Sequence, residues 1–167
     1  MVQTQESLSA SLEDYLEAIF HIEDQKHASR AKDIADRLQV SNASVTGALR
    51  QLAEKELINY APYDIITLTS KGRDVAQDVV HRHETLRDFF VKILAVDEAE
   101  AEIAACKMEH GMSPAILDRI TRFITFLEAC PRGGFKWLKE YEAFCEHGQE
   151  RIQCETCLRQ HIENRCL

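Results

Sequence analysis

The sequence predicts a mostly α-helical protein with one small β wing: an N-terminal winged helix-turn-helix followed by an α-helical domain. Three observations predict this fold. Apolar residues recur with the helical period along most of the chain. Two short helical segments are separated by a three-residue link, and two β-type runs flanking a proline-containing turn come directly after them. The 167 residues are enough for one domain of ordinary size or two small ones.

Three helices are expected before the wing. Residues 8–25 carry an apolar stripe at helical spacing. A second helix is predicted from Arg30 to Leu38, with Ser29 as its N-cap. A third is predicted from Asn42 to about Glu56, capped by Ser41, with an inward face at every third or fourth position. Two short helices joined so tightly are typical of a helix-turn-helix.

The wing and a long helix follow. Residues 57–60 and 65–68 are apolar or β-branched runs, and residues 61–64 between them contain Pro62, which indicates a hairpin. Ser70 is predicted to cap a long helix that ends near Ala95.

Two more helices complete the central part of the chain. One is expected from Asp97 to His110, where Gly111 suits a left-handed cap. The next begins at Ser113–Pro114 and ends at Cys130–Pro131. Its apolar stripe is wider than a small domain needs, so we predict that it packs against a second copy in a two-fold homodimer. An unusually full core within one chain is the alternative.

These elements suggest three regions. Residues 1–75 form the winged helix-turn-helix domain, residues 76–134 a helical metal-binding and dimerisation domain, and residues 135–167 a C-terminal helix with a Cys- and His-rich tail. No internal repeat or low-complexity run interrupts them.

The charge distribution favours a nucleic-acid partner for the first region. The net charge is −8, yet residues 26–73 carry three more basic than acidic side chains. Phosphate contact depends on local charge, so this segment suits DNA. Neither a membrane span nor a signal peptide is evident, so we expect a cytoplasmic protein with no membrane partner. Its cysteines are then metal ligands or ordinary buried thiols rather than a disulfide framework.

A metal centre is predicted near the middle of the chain. Read as a helix, Cys106, Glu109 and His110 share one face at i, i+3 and i+4. Three donors do not complete a transition-metal shell. Further donors of suitable type are Asp14 and Glu17, one turn apart in the first helix, and His83 in the long helix.

Several short motifs, in this order and spacing, resemble the metal-dependent repressors of the diphtheria toxin repressor and manganese transport regulator type. They are Glu13–Ile19, Ile34–Ala35, Val40–Thr46, Leu68–Gly72, Arg82–His83 and Cys106–His110 with Ser113, and they span residues 8 to about 134. The resemblance implies a repressor, not an enzyme, in which metal binding favours the form that grips an operator.

The resemblance also suggests the ligands. Asp14, Glu17, His83, Glu109 and His110 match the manganese-type ligands, whereas Cys106 matches the toxin-repressor type. The second metal site of the toxin-repressor type looks incomplete, because Arg87 and Glu102 stand where it uses a carboxylate and an imidazole. A donor set that mixes hard and soft atoms makes Fe²⁺ our first expectation and Mn²⁺ the second.

Operator recognition is expected from the third helix, in a palindromic double-stranded site that matches the dimer. Residues expected to reach base edges are Asn42, Ser44, Thr46 and Arg50, and those expected to hold phosphates are Lys32, Arg37, Ser41 and Lys55.

The tail leaves alternatives open. Its candidate ligands for a second metal, such as Zn²⁺, are Cys145, Cys154, Cys157, His161 and Cys166. The alternative is a tail of free thiols with no metal. A rival function is a redox-responsive winged-helix regulator that senses oxidation through these thiols. A di-metal enzyme is disfavoured, because such sites use a Glu-x-x-His spacing on two helices and this chain has adjacent Glu109 and His110 with no second copy.

Overall fold

The computed structural model describes residues 8–26, 28–61 and 65–129, together with Leu138, Tyr141 and Cys145. The predicted fold class is confirmed over these residues. The elements in chain order are α1 (Ala10–Lys26), α2 (Ala31–Leu38), α3 (Asn42–Glu54), β1 (Ile58–Asn59), β2 (Thr67–Leu68), α4 (Ser70–Lys92), α5 (Glu98–Met108), a 3-10 turn (Glu109–Gly111) and α6 (Pro114–Ala129).

The winged-helix unit, α1 to β2, has its own apolar core. Leu16 and Ile19 of α1, Ile34 of α2, and Leu49 and Leu52 of α3 are fully buried in it. The inward face predicted for α3 is confirmed. Because α1 contacts α2, α3 and β2, this helix is part of the unit rather than an arm beside it.

Ser29 does not cap α2, contrary to the sequence prediction. Arg30 stands at the N-cap without a side-chain hydrogen bond. Ser29 is instead fully buried and exchanges backbone hydrogen bonds with Ile66, at 2.8 and 3.2 Å, while its hydroxyl donates to the carbonyl of Ile19 at 3.3 Å. Ser29 does not cap α2 because its hydroxyl is bonded to Ile19 and its backbone is bonded to Ile66.

The hairpin and the start of α4 are joined closely. Ile58 pairs with Leu68 and Asn59 with Thr67 in antiparallel register. The cap of α4 is Thr69, not the predicted Ser70: the Thr69 hydroxyl accepts from the backbone N–H of Gly72 at 3.0 Å. The helix ends at Lys92, three residues earlier than predicted, and Ala95 has a left-handed φ of 53°.

A buried carboxylate joins α1, the wing and α4. Glu23 accepts a hydrogen bond from the backbone N–H of Leu68 at 2.7 Å and another from the guanidinium of Arg73. The Glu23 side chain is 7% exposed, so its bond to Leu68 is buried, whereas the Arg73 side chain is 46% exposed and its bond is partly buried. A charge-assisted hydrogen bond is stronger where water is excluded. The winged-helix unit is thereby fixed to the first turn of α4.

The helical part has a second core and an exposed apolar face. Ile93, Ile124 and Leu127 are buried together with Leu138, and α4 contacts both α5 and α6. The apolar stripe of α6 divides into two. Leu117, Ile124 and Leu127 point inward, whereas Ile116, Phe123 and Phe126 are exposed, Phe126 by 62%. Among the described helices, none is sufficiently long and apolar to cross a membrane.

We predict opposite effects of alanine at two helical glycines. At Gly72 an added Cβ would lie 1.8 Å from the backbone oxygen of Leu57, so Gly72→Ala should lower the free energy of unfolding by about 1–3 kcal/mol. At Gly47 nothing lies within 4 Å, so Gly47→Ala should raise it by up to about 1 kcal/mol. Chemical denaturation measures both, and equal stability of the two variants would contradict the packing described here.

Candidate metal centre

Three elements bring the candidate ligands together. Asp14 and Glu17 lie one turn apart on α1, His83 lies in the middle of α4, and Glu109 and His110 lie in the 3-10 turn after α5. The sequence predicted a continuous helix through His110, but α5 ends at Met108 and the chain tightens there. The turn leaves Glu109 fully buried while Cys106, on the last turn of α5, is exposed.

Glu109 lies at the centre of the cluster. Its Oε2 is 2.7 Å from Nδ1 of His83, and its Oε1 is 3.3 Å from Nε2 of His110. In the described part of the chain, Oε1 is buried and has no hydrogen-bond partner. A buried carboxylate oxygen without a donor is costly, because it has lost water and gained nothing in return. A cation at this position would remove that cost.

Asp14 and His110 complete the most compact donor group. Nε2 of His110 lies 2.8 Å from Oδ1 of Asp14. One donor atom from each of Asp14, Glu109 and His110 can be chosen such that all lie within 4.8 Å of one another. Two like charges at that separation repel by about 3 kcal/mol at an effective dielectric constant of 20. One imidazole and two carboxylates therefore fit a divalent transition metal.

The pKa shifts of Asp14 and His110 reflect burial together with the negative charge around them. Burial raises the pKa of Asp14, partly offset by His110 and reinforced by Glu109 and Glu13. Burial acts to lower the pKa of His110, but the hydrogen bond to Glu13 and the charges of Asp14 and Glu109 outweigh it, so that this pKa is raised. Asp14 and His110 thus bind protons more readily than the same side chains would in water.

His83 is held between two carboxylates. Its Nε2 is 3.1 Å from Oε1 of Glu102, opposite the contact with Glu109. The hydrogen bond to Glu109, opposed by burial and aided by Glu102, raises the pKa of His83 to about 9. Glu102 is one of the two residues that depart from the second metal site of the toxin-repressor type. Its carboxylate contacts His83 in the structure.

Glu17 and Cys106 lie outside the compact group but feel its charge. Glu17 is half-buried, with Oε1 3.5 Å from Nε2 of His21, and burial followed by the charge of Glu109 raises its pKa. Burial and the charges of Glu109, Asp14, Glu17 and Glu102 raise the pKa of Cys106, which opposes thiolate formation. A bound cation would reverse the sign of that effect.

Two residues of the site carried no role in the sequence analysis. Oε2 of Glu13 lies 2.7 Å from Nδ1 of His110, whereas Asp14 contacts Nε2 of the same ring. The same Oε2 lies 3.0 Å from Nη2 of Arg82. Their proximity to Asp14 and His83 in the sequence was the available signal. Sequence spacing did not indicate that Glu13 of α1 and Arg82 of α4 would meet.

The candidate DNA-contacting residues lie on α2, on α3, in the turn between them and, for Lys55, directly after α3. Side chains that are exposed are Lys32, Arg37, Ser41, Asn42, Ser44 and Arg50, while Thr46 and Lys55 are half-buried. Ser41 caps α3 as predicted, accepting from the backbone N–H of Ser44 at 3.2 Å. Thr46 donates its hydroxyl to the carbonyl of Asn42 at 2.9 Å, so the hydroxyl already has an acceptor within the helix.

Of the candidate ligands in the tail, only Cys145 lies among the described residues. Cys145 is an exposed free cysteine. Cys154, Cys157, His161 and Cys166 lie outside the described residues, so the tail site stays a prediction.

The fold is a winged helix followed by a helical unit, and carboxylates and an imidazole from both meet in one cluster. This combination is that of a DNA-binding regulator with a metal site. Residues 7–65 match the family model for the N-terminal DNA-binding domain of iron-dependent repressors. Residues 69–138 match the model for the metal-binding and dimerisation domain of the same proteins. The chain belongs to the iron-dependent repressor family, and the resemblance to the diphtheria toxin repressor and manganese transport regulator type is confirmed.

Individual relatives agree with this assignment. The chain is 36% identical over 118 residues, 70% of its length and 94% of the relative's, to an uncharacterized HTH-type transcriptional regulator of Methanocaldococcus jannaschii. It superposes on the manganese regulator SloR with a TM-score of 0.63 at 25% identity, covering 73% of this chain and 57% of that one.

A manganese-dependent transcriptional repressor in complex with manganese gives a TM-score of 0.58 at 31% identity, covering 66% of this chain and 51% of that one. The chain thus spans between half and three fifths of the length of these two solved structures.

We predict that Glu109→Gln weakens Co²⁺ binding by about 100-fold or more, because it removes the central charge and leaves an amide among carboxylates. Glu98→Gln is the matched control, since Glu98 is an exposed acid in the first turn of α5. Calorimetric titration measures both affinities. Equal affinities in the two variants would exclude Glu109 from the metal centre.

Proposed function

We propose that this protein is a cytoplasmic, metal-dependent DNA-binding transcriptional repressor. Its corepressor is Fe²⁺ or Mn²⁺, and the genes that it controls serve metal homeostasis. The observation that carries the proposal is the convergence of Asp14 on α1 with Glu109 and His110 after α5. This cluster joins a helix of the DNA-binding unit to the helical unit, where a bound ion is able to influence both.

The proposed ligands are the six predicted residues, which do not contribute equally. Asp14, Glu109 and His110 form the compact group, His83 contacts Glu109 directly, and the set is completed by Glu17 and Cys106. Carboxylates and imidazole suit Fe²⁺ and Mn²⁺, and the thiol of Cys106 favours Fe²⁺ over Mn²⁺. A bound divalent cation supplies the positive charge that these acidic groups lack.

The chain's own residues turn that charge into a change in geometry. Asp14 lies on the same helix as Leu16 and Ile19, which are buried in the core that holds α2 and α3. Glu109 and His110 are fixed through α5 and His83 to α4. When Asp14 is held against Glu109 and His110, α1 is held as well, and with it the orientation of α3. Less of the ordering then remains to be done on DNA, so operator affinity rises.

We propose that residues 1–75 contact DNA, that residues 76–134 bind metal and dimerise, and that residues 135–167 form a C-terminal region after them. In the proposed dimer, Ile116, Phe123 and Phe126 of α6 face the second copy. Two-fold symmetry suits a palindromic operator whose half-sites are about 34 Å apart. Asn42 and Ser44, exposed at the start of α3, are proposed to read bases, together with Thr46 and Arg50.

We predict that metal and Lys32 affect DNA binding in different ways. For a duplex selected from a random library by the Mn²⁺-loaded protein, removing metal with a chelator should weaken binding roughly 5- to 150-fold, the usual range of coupling between two sites. Lys32→Ala should weaken binding with or without metal and lower the salt slope by about one phosphate contact. Lys92→Ala, an exposed lysine of α4, is the control. Anaerobic fluorescence anisotropy with Fe²⁺, Mn²⁺ and Zn²⁺ in turn measures each case.

An affinity that is unaffected by every metal would contradict the proposed function. An unchanged salt slope in Lys32→Ala would contradict only the proposed position of α2 on DNA.

We predict that Phe126→Glu weakens homodimerisation by roughly 30-fold or more, because a buried aromatic anchor contributes about 2 kcal/mol or more to an interface. Val40→Glu, which changes an exposed apolar residue of the α2–α3 turn, should leave the dimer intact. Sedimentation velocity over a concentration series measures both. If Phe126→Glu dimerises like the wild type, the outer face of α6 is not the interface.

A further inference from the structure

The carboxylate of Glu13 contacts Nδ1 of His110, the ring nitrogen that faces neither Asp14 nor Glu109. Its Oε2 lies 2.7 Å from Nδ1 of the imidazole, at hydrogen-bond distance. The side chains of Glu13 and His110 are only 15% and 14% exposed. Water therefore competes weakly for this contact, and a charge-assisted hydrogen bond here is strong enough to fix a ring orientation.

The two nitrogens of His110 thereby have different surroundings. Nε2 faces Asp14 at 2.8 Å and Glu109 at 3.3 Å, whereas Nδ1 faces Glu13. A neutral imidazole carries one N–H and one lone pair, and the hydrogen bond at one nitrogen decides which nitrogen has the lone pair. With the proton on Nδ1, donated to Glu13, the lone pair of Nε2 points toward Asp14 and Glu109.

Arg82 keeps Glu13 in this role. Its Nη2 lies 3.0 Å from the same Oε2, as an ion pair that is not aligned as a hydrogen bond, and its Nη1 lies 3.0 Å from Asp78. Arg82 lies on α4 and Glu13 on α1, so the pair also crosses between these helices. Because Glu13 already has two partners, one of them cationic, it has less to gain from a metal than Asp14 or Glu109.

We propose that Glu13 is a positioning residue of the metal centre: it orients His110 so that Nε2 binds the metal, and Arg82 holds Glu13 in place from α4. This inference rests on the proposed function, because it takes His110 to be a ligand. It adds an outer partner to the site that sequence spacing did not indicate. Partners of this kind orient metal-bound imidazoles and typically change metal affinity 10- to 100-fold when removed.

The first test uses the unmodified chain. In Zn²⁺-loaded protein, ¹⁵N chemical shifts of the His110 ring should show the metal on Nε2 and the proton on Nδ1. A metal on Nδ1 would overturn the inference, because Glu13 would then have no proton to accept. Shifts of a His110 ring that binds no metal would contradict the proposed ligand set itself, and so keep the two failures apart.

The second test is a double-mutant cycle with Co²⁺, whose visible absorption bands report the coordination geometry. Glu13→Ala should weaken Co²⁺ binding about 10- to 100-fold and alter these bands. Glu13→Gln should recover part of the affinity, since the amide oxygen still accepts from Nδ1. Asp24→Asn removes an exposed charge from the same helix and should change neither affinity nor spectrum.

The decisive comparison is made in a His110→Ala background. Glu13→Ala should then cost less than about twofold further, because a residue that acts through the imidazole has nothing left to orient. A full additional loss would show that Glu13 acts on the metal directly, and would overturn the inference while leaving the proposed function intact. If His110→Ala alone leaves Co²⁺ affinity unchanged, the proposed ligand set fails with it.

Discussion

The constraint on which the rest depends is the burial of Glu109. A carboxylate in the interior requires compensating positive charge or hydrogen bonds, and one of its two oxygens has no hydrogen-bond partner within the described residues. His83 serves one oxygen at 2.7 Å, and His110 approaches the other to 3.3 Å. A metal ion in the proposed centre would supply the positive charge that the buried carboxylate lacks. Because the centre lies between α1 and the turn after α5, the ion would also connect the two units.

The connection between the metal centre and the DNA-binding unit runs through α1. The helix buries one face in the core shared with α2 and α3 and contacts α4. Its Glu13 and Asp14 lie beside His110, and Glu17 lies near Glu109. Glu23 near its C-terminal end fastens the same helix to β2 and to Arg73. A force applied to Asp14 is therefore applied to a helix that carries the recognition helix with it. A rigid element of this kind is one way in which a metal site can be coupled to a DNA-binding surface.

Much of this fold could be predicted from local pattern. The buried positions of α3, the hairpin and the start of α6 follow from periodicity, turn residues and Ser113–Pro114, which act over a few residues. Some errors arose where a distant partner decides, and others, at the cap of α4 and after Met108, arose within a few residues. Ser29 pairs with Ile66 instead of capping α2, and the tightening after Met108 separates a buried Glu109 from an exposed Cys106. Glu13 meets Arg82 across a gap of nearly seventy positions, which spacing does not encode. The proposed ligand types were recognisable, but their unequal burial and their outer partners were not.

The most direct test of the central claim is anomalous diffraction from crystals of the full chain grown with Mn²⁺. The account predicts a peak at coordination distance from a carboxylate oxygen of Asp14, a carboxylate oxygen of Glu109 and Nε2 of His110. A map in which Asp14 is separated from Glu109 and His110, with the bound manganese at some other group of side chains, would contradict it.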